Sequence, residues 1–373
     1  MPDHILDDIS HRRYNPLRGN WLLVSPHRTK RPWQGQKEEP SKNKLPEYDP
    51  ACYLCPRNAR AAGDTNPDYK KTLIFVNDYS AVKEEQAEYN PPDASTDLAS
   101  SLLRAESATG RCYVLTFSPK HHLTLADMTP AEIVPVIEIW TQIYASHLDP
   151  ASALAKQAAQ CSLPAPAPEA TITPPKAQLR YMQIFENKGA AMGCSHRTPT
   201  ARSGPLDDPR GATRRDGADG PSTAPPTPAA TCSPTTSRSS WKRRSASSSR
   251  TRPSSSSAPG GPSGRSRSSS CRSATEDYAE AIQEVTRRYD NLFETNFPYS
   301  AGIHQAPLDA TDEEADNSYL HMHFYPPLLR SATVRKFLVG YELMAEAQRD
   351  ITPEQAAARL RNCGGKLYRD QLE

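Results

Sequence analysis

The sequence predicts an α+β protein interrupted by a disordered segment. Three observations predict it. Short runs of strand composition stand on both sides of residues 196–274. Helices with capping signals stand between those strands. Residues 196–274 themselves hold almost nothing that a core would bury.

The elements follow in chain order. TLIFVNDYSAV (72–82) and RCYVLTFS (111–118) are rich in β-branched and aromatic residues and read as strands. Thr129-Pro130-Ala131-Glu132 is a helix start, with a threonine cap, proline at the first helical position and a glutamate reaching back. The helix should run to about His147, with Pro135 an early irregularity. Residues 151–177 are Ala/Pro-rich and read as a linker or surface insertion. KAQLRYMQIFENKG (176–189) resumes a strand and turn, Asn187-Lys188-Gly189 being the turn. DYAEAIQEVTRRYDNLF (277–293) is an amphipathic helix, SYLHMHFYPP (318–327) a strand, and Thr352-Pro353-Glu354-Gln355 opens a last helix. The division is therefore residues 1–195, a low-complexity segment 196–274, and residues 275–373.

Composition bounds the function. The chain has 373 residues, net charge +2, 36% hydrophobic residues and 36 prolines. No apolar run approaches membrane-spanning length, and MPDHILDDIS has no apolar signal core. Eight cysteines in this length do not suggest a disulfide scaffold. We expect a cytoplasmic protein with no membrane partner.

Residues 196–274 carry 14 Lys/Arg against 4 Asp/Glu, which leaves about −8 for the remainder. Leu206 and Trp241 are the large apolar residues of that segment, and it holds no Ile, Val, Phe, Tyr or Met. Such a segment buries too little apolar surface to offset its ordering entropy. An Arg/Ser-rich RNA-binding tail has similar composition. It would have to replace the middle of a folded protein, so no nucleic-acid partner is expected.

Several residue groups can carry chemistry. Cys52-Tyr53-Leu54-Cys55 is a C-x-x-C able to place two thiolates on one metal or to form a redox pair. No second C-x-x-C follows, so further ligands must be histidines or carboxylates. His121 is one candidate, although a lone loop histidine is more often solvated. His321 and His323 share one side of a strand and can chelate a metal or a phosphate, or be ordinary sheet histidines. His304 offers a third donor. Arg28 and Arg31 suit phosphate contacts, as does Arg335-Lys336, with solvated basic loops as the plainer reading.

Taken together, HRRYNPLRGNWLLVSPHRTKRPWQG, CYLCPRN, GDTNPDY, FVNDYSAV, RCYVLTFSPKHH, MQIFENKGAAMGCS, YSAGIHQAP and LHMHFYPPLLRSATVRKFLVGYE resemble the galactose-1-phosphate uridylyltransferase family of the histidine triad superfamily. The resemblance covers residues 10–195 apart from the proline-rich insertion, and 275 to the end. It implies a histidine-triad-like fold of two related halves, each an antiparallel sheet flanked by helices, and a homodimer. It implies ping-pong transfer of a uridylyl group between UDP-glucose and galactose-1-phosphate through a uridylyl-histidine. It also implies a zinc at Cys52, Cys55 and His121, and a second metal, iron or zinc, at His304, His321 and His323. Nucleotide contacts carry over to Arg28, Arg31, Phe75, Asn77, Asn187, Gly193, Cys194 and Ser195. Hexose-phosphate and partner-subunit contacts carry over to Lys336, Phe337, Val339, Tyr341, Glu342 and Gln348.

The family's His-Pro-His-Gly-Gln motif, whose second histidine is the nucleophile, is absent. Gly193-Cys194-Ser195 is followed by HRTPTARSG, and Thr200 stands in the nucleophile's place. With it go the fourth zinc ligand and a phosphate-binding glutamine. The glutamate ligand of the second metal also falls within the altered segment. A frame slip accounts for this. Permitted codons for Arg197–Gly204, read one base out of phase, spell Pro-His-Pro-His-Gly-Gln-Val-Trp. Ala246–Ser257 likewise shifts to an apolar text rich in valine, and Ala258–Arg272 to one containing Trp-Pro-Phe-Glu. The alternative is a genuine low-complexity insertion. Either way we expect no catalytic residue, an inactive polypeptide, and too few central strands for the halves to build their antiparallel sheets. The competing function is a non-catalytic remnant that binds metal or nucleotide.

Overall fold

A computed structural model of the chain describes residues 3–15, 20–30, 45–85, 98–103, 107–160, 172–189, 200–206, 267–327, 329–331, 334–335 and 340–371, with Ala87, Tyr89, Ala105 and Met192. The fold is α+β, as the sequence predicts. Its centre is a six-stranded antiparallel sheet. In chain order the strands are β3 (Leu73–Val76), β4 (Tyr113–Thr116), β5 (Tyr181–Lys188), β6 (Thr200–Leu206), β7 (Tyr299–His304) and β8 (His321–Tyr325), and in space they run β3-β4-β6-β5-β7-β8. A smaller sheet joins β1 (His11–Asn15), β2 (Asn20–Val24) and β11 (Gln348–Arg349), tying the two ends of the chain together. Two short strands, β9 (Leu329–Ser331) and β10 (Val334–Arg335), pair by themselves.

Helices cover one face of the large sheet. α2 (Pro130–His147) has Thr129 as its cap, with Glu132 closing the capping box and Pro130 at the start. It follows a short α1 (Leu98–Leu102). Ile133, Val136, Ile137, Trp140 and Ile143 recur at helical spacing along α2 and are buried. They meet Tyr113, Leu115, Met182, Ile184 and Ile303, which alternate inward along β4, β5 and β7. Each such side chain, fully buried, stabilises by about 1.5–3 kcal/mol. Trp140 meets Phe117 edge-on at 6.0 Å. Pro135 does not break α2, which is continuous through it.

The structure corrects the reading of the low-complexity segment at two places. Thr200–Leu206 is a strand inserted between β4 and β5, with Thr200 opposite Thr116 and Arg202 opposite both Val114 and Phe185. Its ladder is made of backbone N–H and C=O groups, which every residue but proline supplies in full, so an apolar pattern is not required for pairing. The two halves therefore do share one sheet, against the expectation that they lack the strands to build it. At the other end, the helix expected from residue 277 begins earlier. α4 spans Arg267–Phe293 and so takes in the end of the segment. The remaining residues, 196–199 and 207–266, lie outside the described residues, and the expectation of disorder rests on them.

The Ala/Pro-rich stretch 151–177 also contains structure. α3 (Ala153–Ala158) is capped by Ser152, whose side chain accepts from Ala155 N–H, and its alanines favour helix. Residues 161–171 lie outside the described residues. Towards the C-terminus come α5 (Asp312–Asn317), α6 (Tyr341–Met344) and α7 (Pro353–Asn362). α7 opens at Thr352 with the expected capping box. Among the described residues no helix is long and apolar enough to cross a membrane.

Beneath the sheet, on the helix side, lies a buried polar cluster. Glu186 and Lys188 of β5, Tyr299 of β7 and Asp290 of α4 are each at most 3% exposed. Lys188 Nζ donates to Asp290 Oδ1 at 2.7 Å, and Tyr299 Oη donates to Glu186 Oε2 at 2.9 Å. The Phe297 N–H and Arg369 complete the surroundings of Asp290.

Candidate functional site

The other face of the sheet carries the chemistry. Residues directly opposite in an antiparallel ladder share a face. The register runs Phe75 opposite Val114, Phe185 opposite Gly302, and Gly302 opposite His323, with Arg202 of β6 between Val114 and Phe185. Phe75, Val114, Phe185, Gly302 and His323 thus form one row across the sheet, away from α2.

At the β3–β4 edge of that face sits the first cluster. Cys52, Leu54 and Cys55 pack on Val114 and Phe75. The C-x-x-C folds as a knuckle because Cys52 N–H donates to Asp49 O at 3.1 Å and Cys55 N–H to Cys52 O at 3.4 Å. Asn58 Nδ2 ties the same turn by donating to the carbonyls of Asp49 and Cys52. His121 arrives from a distant loop, its N–H donating to Glu47 O at 2.8 Å. Cys55 Sγ and His121 Nδ1 are 3.7 Å apart. One donor atom from each of Cys52, Cys55 and His121 lies within 4.8 Å of the others, and all three residues are buried. Burial pushes the Cys55 thiol up to about 11. Two buried sulfurs and an imidazole converging on one point form a soft donor set that fits zinc, whose charge would favour the thiolates. The structure brings together the three residues expected here.

The second cluster lies at the opposite edge. His304 ends β7 and is paired with His321 of β8, and His323 follows two residues on, on the same side. The three rings are mutually 5.0, 4.8 and 4.9 Å apart between centroids. His321 Nδ1 donates to Tyr319 O at 2.7 Å, so in the neutral ring Nε2 is the acceptor nitrogen. That Nε2 is buried and has no hydrogen-bond partner among the described residues. A buried acceptor without a donor costs about 1–3 kcal/mol. A cation at the centre of three imidazoles relieves it, so this donor set also fits a metal.

Between the clusters lie the residues expected to touch nucleotide. Phe75 sits on β3 with the Arg60 guanidinium 4.3 Å from its ring centre. Arg60 is held by Asp64 and Asp78. Asn77 caps the turn after β3, its Oδ1 accepting from Tyr79 N–H at 3.0 Å. Asn187 is the penultimate residue of β5 and not part of a free turn, since the strand runs through Lys188 and the chain bends at Gly189. Gly189 has φ +89°, a conformation that strains other residues. Ser300 Oγ donates to Asn187 Oδ1 at 2.6 Å.

The remaining expected contacts are scattered. Arg28 lies in a short turn of helix with Nε 3.8 Å from Asp350 Oδ1. Tyr341 and Glu342 open α6. The Tyr341 hydroxyl donates to Glu346 at 3.2 Å, and Glu342 Oε1 accepts from Gln348 N–H at 3.2 Å. Gln348 is 6% exposed, paired beside Leu23. Arg31, Gly193, Cys194, Ser195, Lys336, Phe337 and Val339 lie outside the described residues. Sequence reasoning passed over Asp49, Arg60, Ser300 and Tyr325. Only Tyr325 had a local signal, two residues after His323 on one strand, and its hydroxyl meets His323 Nδ1 at 2.7 Å.

Residues 3–202 match the model of the galactose-1-phosphate uridyl transferase N-terminal domain, and residues 265–372 that of its C-terminal domain. Residues 203–264 fall in neither match. The chain is 56% identical to the galactose-1-phosphate uridylyltransferase of Neurospora crassa over 408 positions, covering 100% of both chains. The 373 residues here therefore leave some of those positions without a counterpart. It is 41% identical to the enzyme of that name from Saccharomyces cerevisiae, covering 96% of each. Among solved structures, a uridylyltransferase matches with TM-score 0.53 at 19% identity, covering 98% of this chain and all of the other. An ADP-glucose phosphorylase from Arabidopsis thaliana, with ADP-glucose bound, matches with TM-score 0.53 at 14% identity, covering 94% and 98%. At these identities the structural likeness speaks for the fold alone.

Proposed function

Because the chain belongs to the galactose-1-phosphate uridylyltransferase family, we propose that its gene descends from an enzyme moving a uridylyl group between UDP-glucose and galactose-1-phosphate, and that this polypeptide does not complete the reaction. The observation that carries the second clause is the sequence after Ser195. No His-Pro-His occurs in the chain, and most of the altered segment, residues 203–264, falls in neither family match.

In the family reaction an imidazole nitrogen attacks the α-phosphorus of UDP-glucose and glucose-1-phosphate leaves with the bond electrons. The uridylyl-histidine then passes the group to galactose-1-phosphate. Thr200 stands at the start of β6, opposite Thr116, at the nucleophile's spacing from Gly193-Cys194-Ser195. Its hydroxyl is a poor nucleophile at neutral pH, and the motif's histidines and phosphate-binding glutamine are gone. What the chain keeps is the frame. Arg28, Arg31, Phe75, Asn77, Asn187, Gly193, Cys194 and Ser195 hold the nucleotide side in this reading. Lys336, Phe337, Val339, Tyr341, Glu342 and Gln348 serve the hexose phosphate or a partner subunit, the working unit being a homodimer.

Cys52, Cys55 and His121 hold a zinc in this reading, and His304, His321 and His323 hold iron or zinc. The first metal would cross-link segments far apart in the chain and the second would join the paired strands β7 and β8, both stabilising roles. Residues 1–195 and 275–373 are then the two halves of the family fold, and the segment between them reads as out of frame.

The test is incubation of the purified chain with UDP-glucose labelled at the α-phosphate. We expect no covalent label and no label in UDP-galactose after galactose-1-phosphate is added. Stoichiometric label on the protein would overturn the reading. Sequencing the mature transcript across the codons for Gly193 to Asp277 separates a faulty reading frame from a real insertion.

A further inference from the structure

The geometry points to Asp49 as a positioning residue for the first metal cluster, its carboxylate orienting His121 from the nitrogen that does not face the metal; we propose this role on the reading that Cys52, Cys55 and His121 bind zinc. His121 presents Nδ1 to Cys55 Sγ at 3.7 Å. Its other nitrogen, Nε2, is 4.0 Å from Asp49 Oδ2. The two ring nitrogens therefore face different neighbours, and the one among the sulfurs is Nδ1.

Asp49 is fixed where it stands. Its Oδ1 accepts from Ala51 N–H at 2.9 Å, an Asx turn that sets the side-chain torsions and leaves Oδ2 towards the ring. Its carbonyl accepts from Cys52 N–H and from Asn58 Nδ2. The neighbouring Glu47 carbonyl receives the His121 N–H. One five-residue span thus holds both the backbone and the ring of the distant histidine and starts the cysteine knuckle. Asp49 is not among the residues whose donor atoms converge within 4.8 Å, so it serves as an outer partner and not as a ligand.

The physical role follows. A neutral imidazole that binds through Nδ1 must carry its proton on Nε2. A carboxylate beside that N–H selects the tautomer, fixes the ring plane and makes the ligating nitrogen more basic.

The experiment measures zinc affinity of the full chain by chelator competition for the parent, Cys52→Ser, Asp49→Asn and Asp49→Ala. Cobalt substitution supplies the ligand-field spectrum. Asn keeps the Asx turn and loses the charge, so it separates the two roles of Asp49. We expect Asp49→Asn to weaken zinc about 10-fold and Asp49→Ala up to about 100-fold, with shifted cobalt bands in both. Asp49→Asn with parental affinity and spectrum would refute the positioning role, even if Asp49→Ala is unstable. A parent that binds no more zinc than Cys52→Ser would instead overturn the zinc reading itself, and this role with it.

Discussion

His304 and His321 stack across the β7–β8 ladder with ring centroids 5.0 Å apart and planes within 6° of parallel. Two imidazoles so placed, with His323 4.8 Å from the first, repel when protonated and cooperate when they share a cation.

Replacement of His321 by alanine should remove the metal from this edge of the sheet. It deletes the buried Nε2 that has no hydrogen-bond partner, and it leaves two donors. Elemental analysis of purified parent and variant is the check. Equal metal content would show that the cluster is only a sheet-histidine contact.

On the reading that Cys52, Cys55 and His121 hold zinc, its removal should loosen the β3–β4 edge. Cys52, Leu54, Cys55 and Val114, with Phe75 packed on them, form a small cluster of their own. A loss on the order of 2 kcal/mol would lower the melting temperature by about 3–4 °C. Cys52→Ser should show the lower melting temperature with or without chelator. A parent unaffected by exhaustive chelation would contradict the prediction.

Stability should fall as pH rises towards neutrality because of Glu186. Burial raises its carboxyl from 4.5 to about 7, against the pull of Lys188 and the Tyr299 hydroxyl, with Asp290 opposing them. The folded state therefore holds this proton more tightly than the unfolded state. The associated stability is complete below about pH 4.5 and is lost as pH rises to about 7, a difference of about 3 kcal/mol. Glu186→Gln should flatten that part of the denaturation profile. If the variant's profile parallels the parent's between pH 4.5 and 7, Glu186 is not the titrating group.

The Lys188–Asp290 pair should be costly to break and cheaper to replace whole. Both groups are almost fully buried. Lys188→Met leaves Asp290 with only Arg369 and the Phe297 N–H, an expected loss of about 3–5 kcal/mol. Lys188→Met with Asp290→Leu should recover part of it. Urea unfolding measures both, and additive losses would show that the two side chains are not coupled.

The sequence by itself determined the local elements and singled out the residues of both candidate clusters. Thr129 and Thr352 open helices as their capping patterns require, because a cap is satisfied within four residues. The His-x-His of β8 shares a side because strand alternation is local. The absence of His-Pro-His is likewise a fact of the sequence alone. Only the tertiary structure decided that Thr200–Leu206 joins the sheet, since backbone pairing ignores side-chain polarity when both flanking strands offer free edges. Only it placed His121 with Cys52 and Cys55, Asp49 behind His121, and Arg60 on Phe75. Those neighbours are brought together by chain crossings and by burial, and no periodicity along the sequence records either.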